Sequence, residues 1–211
     1  MKKLLLGNEA IALGVYEAGA TVATAYPGTP STEITENIAK YDEIYSEWAP
    51  NEKVALEVAI GASFAGARAA CAMKHVGLNV AADPLFTVSY TGVNGGLVIF
   101  VADDPGMHSS QNEQDTRIIA RGAKVPVLEP SDSMECKEYT KKAFRISEEF
   151  DTPVIVRLTT RVSHSQGIVE LMDKEDYELK PYVKDPAKYV MMPAMARKRH
   201  LIVEDRMAKL R

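Results

Sequence analysis

The sequence predicts an α/β fold, a doubly wound parallel sheet covered by helices on both faces. Three observations support this fold class. Short apolar runs alternate with segments of helical periodicity along most of the 211 residues, which is typical of strands joined by crossover helices. Residues 97–102 (LVIFVA) are apolar without a break, as in a parallel strand buried on both faces. The segment that begins at Asn51 is rich in alanine and glycine and has no broad polar face, which predicts a helix buried on several sides.

The first elements are predicted from their boundary residues. Residues 4–6 are expected to form a short strand, because the apolar run that they make is too short for a signal peptide. Asn8 is expected to cap a helix over residues 9–18. Residues 21–26 form the next predicted strand, because they are apolar and rich in β-branched side chains.

Pro27 and Gly28 end that strand, and Thr29 is expected to cap the next helix, with Pro30 at its first position and its end near residue 41. The remaining elements continue the alternation. In order, they are a helix from Asn51, a strand over 68–73, a helix over 78–89, a strand over 97–102, a helix over 113–121, a strand over 125–128, a helix over 131–150 and a strand over 153–158.

Residues 1–165 are predicted to form this α/β domain, and residues 166–211 an extended linker that ends in a basic helix. Helical and strand periodicity is lost from about residue 161. The Asp-Pro pair at 185–186 and the Met-Pro pair at 192–193 favour extended backbone. We expect the last helix to lead toward a further domain, so that the sequence is a fragment of a larger subunit.

Composition excludes several classes of function. The formal net charge is -4 and the basic residues are scattered, so nucleic-acid binding is not expected. No stretch approaches the roughly 20 apolar residues of a membrane span, and a cytoplasmic protein is predicted. Cys71 and Cys136 are too far apart in sequence to form a zinc or iron-sulfur motif. The dinucleotide, P-loop and serine-elbow signatures are absent as well.

The loop after the second strand is the clearest candidate for a ligand site. Ligands of doubly wound sheets bind at the carboxyl ends of the strands. Gly28 allows close approach to the backbone, and Thr29 and Ser31 add hydroxyl groups. The same residue types also suit a simple strand-to-helix turn in which Thr29 is only a cap. From the residues alone, both interpretations stay open.

Two glutamates of the alanine-rich helix are candidate functional acids. Glu52 lies in the first turn, where the positive helix end favours a carboxylate, so that a structural role would also account for it. Glu57 lies inside an otherwise apolar helix, where an ionised carboxylate is expected to be paired or perturbed. On burial alone Glu57 is the preferred functional acid. The alternative for Glu57 is a structural ion pair with Arg68 or Lys74.

Two later segments also follow strands and are therefore expected at the ligand-binding edge. His75 could donate a hydrogen bond to a substrate carboxylate or keto oxygen, or be a solvent-facing loop histidine. The polar loop at residues 103–115 is long, which is uncommon unless a loop is functional or mobile. Asp103, Asp104 and His108 in this loop lack the spacing of a metal site, and no metal ligand is predicted in this chain.

Residues 26–34 (YPGTPSTEI) resemble the signature loop of the 2-oxoacid:ferredoxin oxidoreductases. Residues 51–55 (NEKVA), 73–84 (MKHVGLNVAADP) and 103–106 (DDPG) are similar to the indolepyruvate type of this family. The similarity extends over nearly the whole chain, as far as residues 184–189 (KDPAKY). The resemblance implies the fold that binds the pyrimidine half of thiamine diphosphate.

The resemblance also implies roles for individual residues. Alignment on Gly61 gives Glu52, not Glu57, the role of the glutamate that contacts the pyrimidine ring. By sharing a proton with that ring, such a carboxylate lets the cofactor act as its own general base. Thr29 matches a threonine close to substrate and cofactor. The implied cofactor contacts are Tyr26, Pro27, Gly28, Thr29 and Glu52, and the implied catalytic residues are Glu52 and Thr29.

The arginine that binds the substrate carboxylate in the pyruvate enzyme of this family has no counterpart here, since the corresponding stretch is residues 101–104 (VADD). His75 and the loop at 111–114 are the expected substitutes. The substrate contacts that we expect are therefore Pro30, Ser31, His75, Gln111 and Asn112.

For the whole enzyme, the resemblance implies oxidative decarboxylation of an aryl pyruvate such as indolepyruvate, with the acyl group passed to coenzyme A and electrons passed to ferredoxin. Magnesium and iron-sulfur clusters are expected from regions outside this chain. The expected partners are a diphosphate-binding domain, a second oxidoreductase subunit and further copies in a homo-oligomer, and the chain is expected to be inactive alone. The alternatives are an enzyme for another 2-oxo acid and a non-catalytic assembly or regulatory module.

Overall fold

A six-stranded parallel sheet lies at the centre of the part of the chain that the structure describes, residues 1–210. In this computed structural model the elements are, in chain order, β1 (Lys2–Leu6), α1 (Gly7–Glu17), β2 (Val22–Ala25), α2 (Thr32–Ile38), β3 (Tyr45–Trp48), α3 (Glu52–Phe64), β4 (Ala69–Lys74), α4 (His75–Val80), α5 (Ala82–Thr91), β5 (Leu97–Asp103), α6 (Thr116–Ala123), β6 (Val127–Leu128), α7 (Ser133–Phe150), β7 (Val154–Thr159), α8 (Thr160–His164), β8 (Gln166–Glu170), α9 (Pro186–Tyr189) and α10 (Pro193–Lys209).

The sheet has the strand order β3-β2-β4-β5-β7-β6, and neighbouring strands are parallel. Its two faces are covered by separate apolar clusters. One cluster contains side chains from α1, α2 and α7, and the other contains side chains from α3, α4, α5 and α6. All seven residues of β5 are buried, because this strand lies between β4 and β7 and is covered on both faces. The predicted α/β fold with a doubly wound parallel sheet is confirmed.

The first predicted strand is present but lies outside the main sheet. β1 pairs antiparallel with β8, with Leu4 opposite Ile168, and both of these side chains are exposed. The prediction missed β8, because a short strand with one exposed face carries little apolar pattern. β3 was missed for a similar reason. It is an edge strand with only β2 as a neighbour, and Tyr45 and Trp48 are exposed.

Several predicted boundaries were wrong. Asn8 does not cap a helix, since α1 begins at Gly7 and the Asn8 amide donates to the Pro30 carbonyl at 2.8 Å. α2 begins at Thr32 rather than at Pro30, and Thr29 is not its cap. The predicted helix over 78–89 is two helices, α4 and α5, which meet at Ala81.

The segment after β8 packs against the domain. The Glu175 N–H donates to the Glu17 carbonyl at 2.7 Å, and the Lys180 N–H donates to the Gly66 carbonyl at 3.2 Å. α10 packs on α5, and the Arg206 guanidinium donates to the Ser89 carbonyl at 2.9 Å. The division of the chain at residue 165 stays a prediction. Within residues 1–210, no helix has the length and apolarity needed to cross a membrane.

Candidate functional site

The order of the sheet reverses between β2 and β4, and the space between the loops at the carboxyl ends of these two strands is called the crevice below. The chain passes from β2 to β3 on one side, whereas β4 and the later strands lie on the other side. The helix after β2 packs on one face of the sheet, and the helices after β4 pack on the opposite face. The loops that follow β2 and β4 therefore diverge. Such a switch point is where open α/β sheets bind their ligands.

One wall of the crevice is the loop between β2 and α2. Tyr26, Pro27 and Thr29 are exposed there. Pro30 and Ser31 are buried, and the Ser31 hydroxyl donates to the Gly28 carbonyl at 2.7 Å. Thr29 is therefore the loop hydroxyl that is open to a ligand, and Ser31 holds the shape of the loop. The peptide bond between Thr29 and Pro30 is cis.

Glu52 is the first residue of α3, a helix that packs against β2. The Asn51 side chain caps the helix by accepting a hydrogen bond from the Val54 N–H at 3.0 Å. This cap places the Glu52 carboxylate at the positive helix end. Glu52 is only 9% exposed, and no hydrogen bond or salt bridge to its carboxylate is found within residues 1–210. Its oxygens are not fully enclosed by the protein, so the carboxylate can accept a hydrogen bond from a ligand.

The floor beneath Glu52 is the backbone of α4. A Cβ placed on Gly77 would lie 2.5 Å from Glu52 Oε1, so the carboxylate packs directly against a glycine. Cys71 is also buried below the crevice, and burial, together with the Glu52 charge, raises the pKa of its thiol to about 12 despite a hydrogen bond with Thr24. Cys71 is therefore an inert packing residue rather than a nucleophile.

The burial-based preference for Glu57 was wrong. Glu57 is exposed, and its carboxylate lies 4.0 Å from the Lys53 ammonium in a surface ion pair. It pairs with neither Arg68 nor Lys74. α3 is not buried on several sides either, since Val58 and Gly61 are exposed on the same face of the helix. Because that face also carries apolar and small residues, the sequence wrongly predicted a helix buried on several sides.

Lys74 also lies at this site, although the sequence did not lead us to predict it as a site residue. It is the last residue of β4, it is buried, and its ammonium donates to the Ser109 carbonyl at 3.0 Å. Its aliphatic stem packs against Gly28, where a Cβ would lie 3.0 Å from Lys74 Cδ. A signal for its role was available, because a charged residue ends a strand that is otherwise made of alanine, cysteine and methionine.

His75 is buried and bonded through both ring nitrogens. Nε2 lies 3.0 Å from the Asn112 carbonyl, and the Asp104 N–H donates to Nδ1 at 3.3 Å. These contacts assign the ring proton to Nε2. The histidine is thus neither a solvent-facing loop residue nor directed toward an open site. Its observed contacts hold the segment from residue 104 to residue 112 against α4.

The same loop is anchored by Asp104. One carboxylate oxygen accepts hydrogen bonds from the Ser109 N–H at 2.8 Å and the Ser110 hydroxyl at 2.7 Å, and the other accepts from Thr160 at 3.0 Å. Burial alone would raise the pKa of Asp104, but these hydrogen bonds lower it well below its ordinary value. The Gln111 and Asn112 side chains lie at the exposed end of the loop. Asp104 therefore fixes the second wall of the crevice.

Asp103 and His108 do not join Asp104 in a metal site. The Asp103 carboxylate pairs with Arg157 at 2.7 Å and accepts a hydrogen bond from the Thr116 N–H at 3.2 Å. His108 is exposed. No group of three or more potential metal ligands occurs in the described range, 1–210.

Comparisons with known proteins agree with this arrangement. Residues 13–207 match the family described as "Pyruvate flavodoxin/ferredoxin oxidoreductase, thiamine diP-bdg". The indolepyruvate oxidoreductase subunit IorA of Archaeoglobus fulgidus is 50% identical over 99% of this chain and 35% of its own length. The subunit of the same name from Pyrococcus horikoshii is 54% identical over 94% of this chain and 32% of its own length. The chain thus spans about a third of these relatives.

A solved structure shares the fold. It is the 2-oxoglutarate:ferredoxin oxidoreductase from Magnetococcus marinus with 2-oxoglutarate, coenzyme A and succinyl-CoA bound. The TM-score is 0.79 at 16% sequence identity, and the similarity covers 99% of this chain and 45% of that chain. At this identity the likeness supports the architecture alone.

Proposed function

Because this chain belongs to the thiamine-diphosphate-binding family of pyruvate flavodoxin/ferredoxin oxidoreductases, we propose that the crevice between β2 and β4 holds the aminopyrimidine of that cofactor. The resemblance noted in the sequence is confirmed at the level of the family, including its indolepyruvate members. Which residues perform each role is our inference from the contacts described above.

The observation that carries the proposal is the buried, unpartnered carboxylate of Glu52. A pyrimidine ring nitrogen that bears or shares a proton would supply the hydrogen bond that this carboxylate lacks. The N-terminus of α3 favours a negative charge at this position. Glu52 is therefore suited to hold a proton at the ring and, through it, to promote the cofactor's own general-base chemistry.

The loop after β2 supplies the surface next to Glu52. Tyr26 and Pro27 present exposed apolar surface to a planar ring, and Gly28 has no side chain that would keep the ring at a distance. The exposed Thr29 hydroxyl is available to substrate and cofactor. Pro30 and Ser31, by contrast, act through the shape of the loop, since both are buried.

For the complete enzyme, we infer oxidative decarboxylation of an aryl pyruvate such as indolepyruvate to an acyl-coenzyme A, with ferredoxin as electron acceptor. High identity to indolepyruvate oxidoreductase subunits supports this substrate class. A diphosphate-binding domain, a second subunit, magnesium and iron-sulfur clusters belong to the parts of the assembly beyond this chain. We also infer a cytoplasmic homo-oligomer. Gln111 and Asn112, at the exposed end of the second wall, stay candidate substrate contacts, and His75 would reach a substrate only if the loop moved.

Glu52→Gln in the complete enzyme tests the role of the carboxylate. The variant keeps the shape of the side chain but replaces the proton-sharing oxygen, so we expect turnover to fall by at least about 100-fold. Exchange of the thiazolium C2 proton should slow in parallel, which is a readout that needs no substrate. Near-normal exchange in Glu52→Gln would overturn the assignment.

The matched control is Glu57→Gln, on the same helix as Glu52. It makes the same chemical change at an exposed carboxylate, and we expect exchange and turnover to match the wild type. A panel of 2-oxo acids, including 2-oxoglutarate, would establish the substrate. Failure of the complete enzyme to oxidise any of them would favour an assembly or regulatory module.

A further inference from the structure

The Lys74 ammonium is a buried cation at the crevice that no carboxylate neutralises. Its residue is only 8% exposed. Nζ donates one hydrogen bond, to the Ser109 carbonyl, and it forms no salt bridge within residues 1–210. An ammonium group has three donors, so two are left for another partner. A buried charge without an opposite charge is costly.

Other buried basic groups near this edge of the sheet are already engaged. Arg157 forms a salt bridge with Asp103 at 2.7 Å and a second one with Glu129. His75 is bonded to backbone groups through both ring nitrogens. Lys74 differs from both, because the hydrogen-bond partner of its ammonium is a neutral carbonyl group rather than a carboxylate.

Lys74 also lies between the two walls of the crevice. β4 has β2 on one side and β5 on the other. The stem of Lys74 packs against Gly28 of the first wall, and its ammonium reaches Ser109 of the second wall. Ser109 in turn approaches the first wall, because its hydroxyl lies 3.5 Å from the Thr29 carbonyl. Lys74 and the exposed Thr29 are thus linked through Ser109.

We propose that Lys74 binds the carboxylate of the 2-oxo acid. This inference rests on the proposed function, which supplies a substrate that carries a carboxylate. A substrate anion in the crevice would give the ammonium its missing counter-charge and accept its free N–H groups. Charge-assisted hydrogen bonds of this kind are stronger than neutral ones. Lys74 would then select acids over uncharged analogues, while Glu52 acts on the cofactor.

Equilibrium binding to the complete, cofactor-loaded enzyme tests this role. The probes are indole-3-lactate, an acid that lacks the reactive keto group, and indole-3-lactamide, its uncharged amide. In Lys74→Met, which keeps the stem that packs on Gly28, we expect affinity for the acid to fall about 10- to 100-fold. Affinity for the amide should stay within about threefold of the wild type.

The matched control is Lys53→Met. Lys53 is a partly exposed lysine of α3 whose ammonium pairs with Asp83 at 2.8 Å, and its removal should leave both affinities unchanged. Lys74→Arg should restore part of the preference for the acid, since it restores the charge. Melting curves of each variant would exclude a folding defect as the cause.

If Lys74→Met lowers the affinity for the acid and for the amide by the same factor, the lysine only holds the loop at Ser109 and the inference is wrong. The inference also fails if neither affinity changes. In both cases the proposed function stands, provided that the wild-type enzyme oxidises a 2-oxo acid. An enzyme that binds neither probe and oxidises no 2-oxo acid would overturn the function and the inference together.

Discussion

The Glu52 carboxylate rests on the backbone of Gly77, which is possible only because residue 77 has no side chain. A Cβ at that position would lie 2.6 Å from Glu52 Cγ and 2.8 Å from Cδ. Real Cβ atoms do not come so close, so a side chain at position 77 would push the Glu52 side chain aside. The glycine therefore determines where the proposed cofactor-binding carboxylate lies.

Gly77→Ala should displace Glu52 and weaken thiamine diphosphate binding. Overpacking at buried sites typically costs about 1–3 kcal/mol, so we expect the cofactor affinity of the complete enzyme to fall about 10- to 100-fold. Calorimetric titration with the cofactor measures this change. Gly61→Ala is the control, because a Cβ on Gly61 meets nothing within 4 Å. Unchanged cofactor affinity in Gly77→Ala would contradict the placement of Glu52.

Asp104→Asn should loosen the second wall of the crevice and change the response of the protein to acid. The hydrogen bonds to Asp104 lower its pKa in the folded state, so the stability that they provide is present above its ordinary pKa and is lost progressively as the pH falls from there toward the lowered folded-state pKa. We expect Asp104→Asn to lower the free energy of unfolding by about 2 kcal/mol at pH 7. The difference from wild type should shrink progressively as the pH falls below about 4.

Denaturant unfolding at a series of pH values measures this effect. Asp173→Asn is the control, because Asp173 is an exposed aspartate whose neutralisation should leave the pH profile close to that of the wild type. If Asp104→Asn and wild type differ by the same amount at every pH, the carboxylate of Asp104 does not carry the proposed charge-assisted hydrogen bonds.

The sequence was sufficient for the fold because its apolar periodicity is strong where strands are buried on both faces, as in Leu97–Asp103. The apolar pattern was too weak to predict two strands that have a single neighbour. β3 and β8 each pair with a single neighbour, and strands of this kind are specified by pairing with distant segments more than by their own apolar pattern.

The candidate site was predictable only in part, for a related reason. Periodicity placed Glu52 and Glu57 on one helix, but it did not establish which side of an alanine-rich helix faces the sheet. The family resemblance chose Glu52, and burial in the structure agrees with that choice. The importance of Lys74 depends on Ser109 and Gly28, which lie far from it in the chain. The charge at the end of an otherwise apolar strand marks Lys74 in the sequence, but nothing local in the sequence reveals its contacts with Ser109 and Gly28.

Arg68→Met should release the segment after β8 from the domain. The Arg68 guanidinium pairs with Glu148 at 2.9 Å and with Glu175 at 2.9 Å, and it lies 4.4 Å from the centre of the Tyr177 ring. Removing one partner of a buried ion pair leaves the other charge without compensation, at a cost of about 3–5 kcal/mol. We expect the free energy of unfolding to fall by about that amount.

Hydrogen exchange would show where the stability of Arg68→Met is lost, because the amide of Glu175, which donates to Glu17, should lose protection before the amides of β5. Arg145→Met provides the matched control. Arg145 also pairs with Glu175, at 2.5 Å, but its side chain is 64% exposed, so its loss should cost less than about 1 kcal/mol. Equal destabilisation by the two substitutions would mean that Arg68 contributes no more than a surface ion pair, and that the segment is held by its backbone contacts with Glu17 and Gly66 instead.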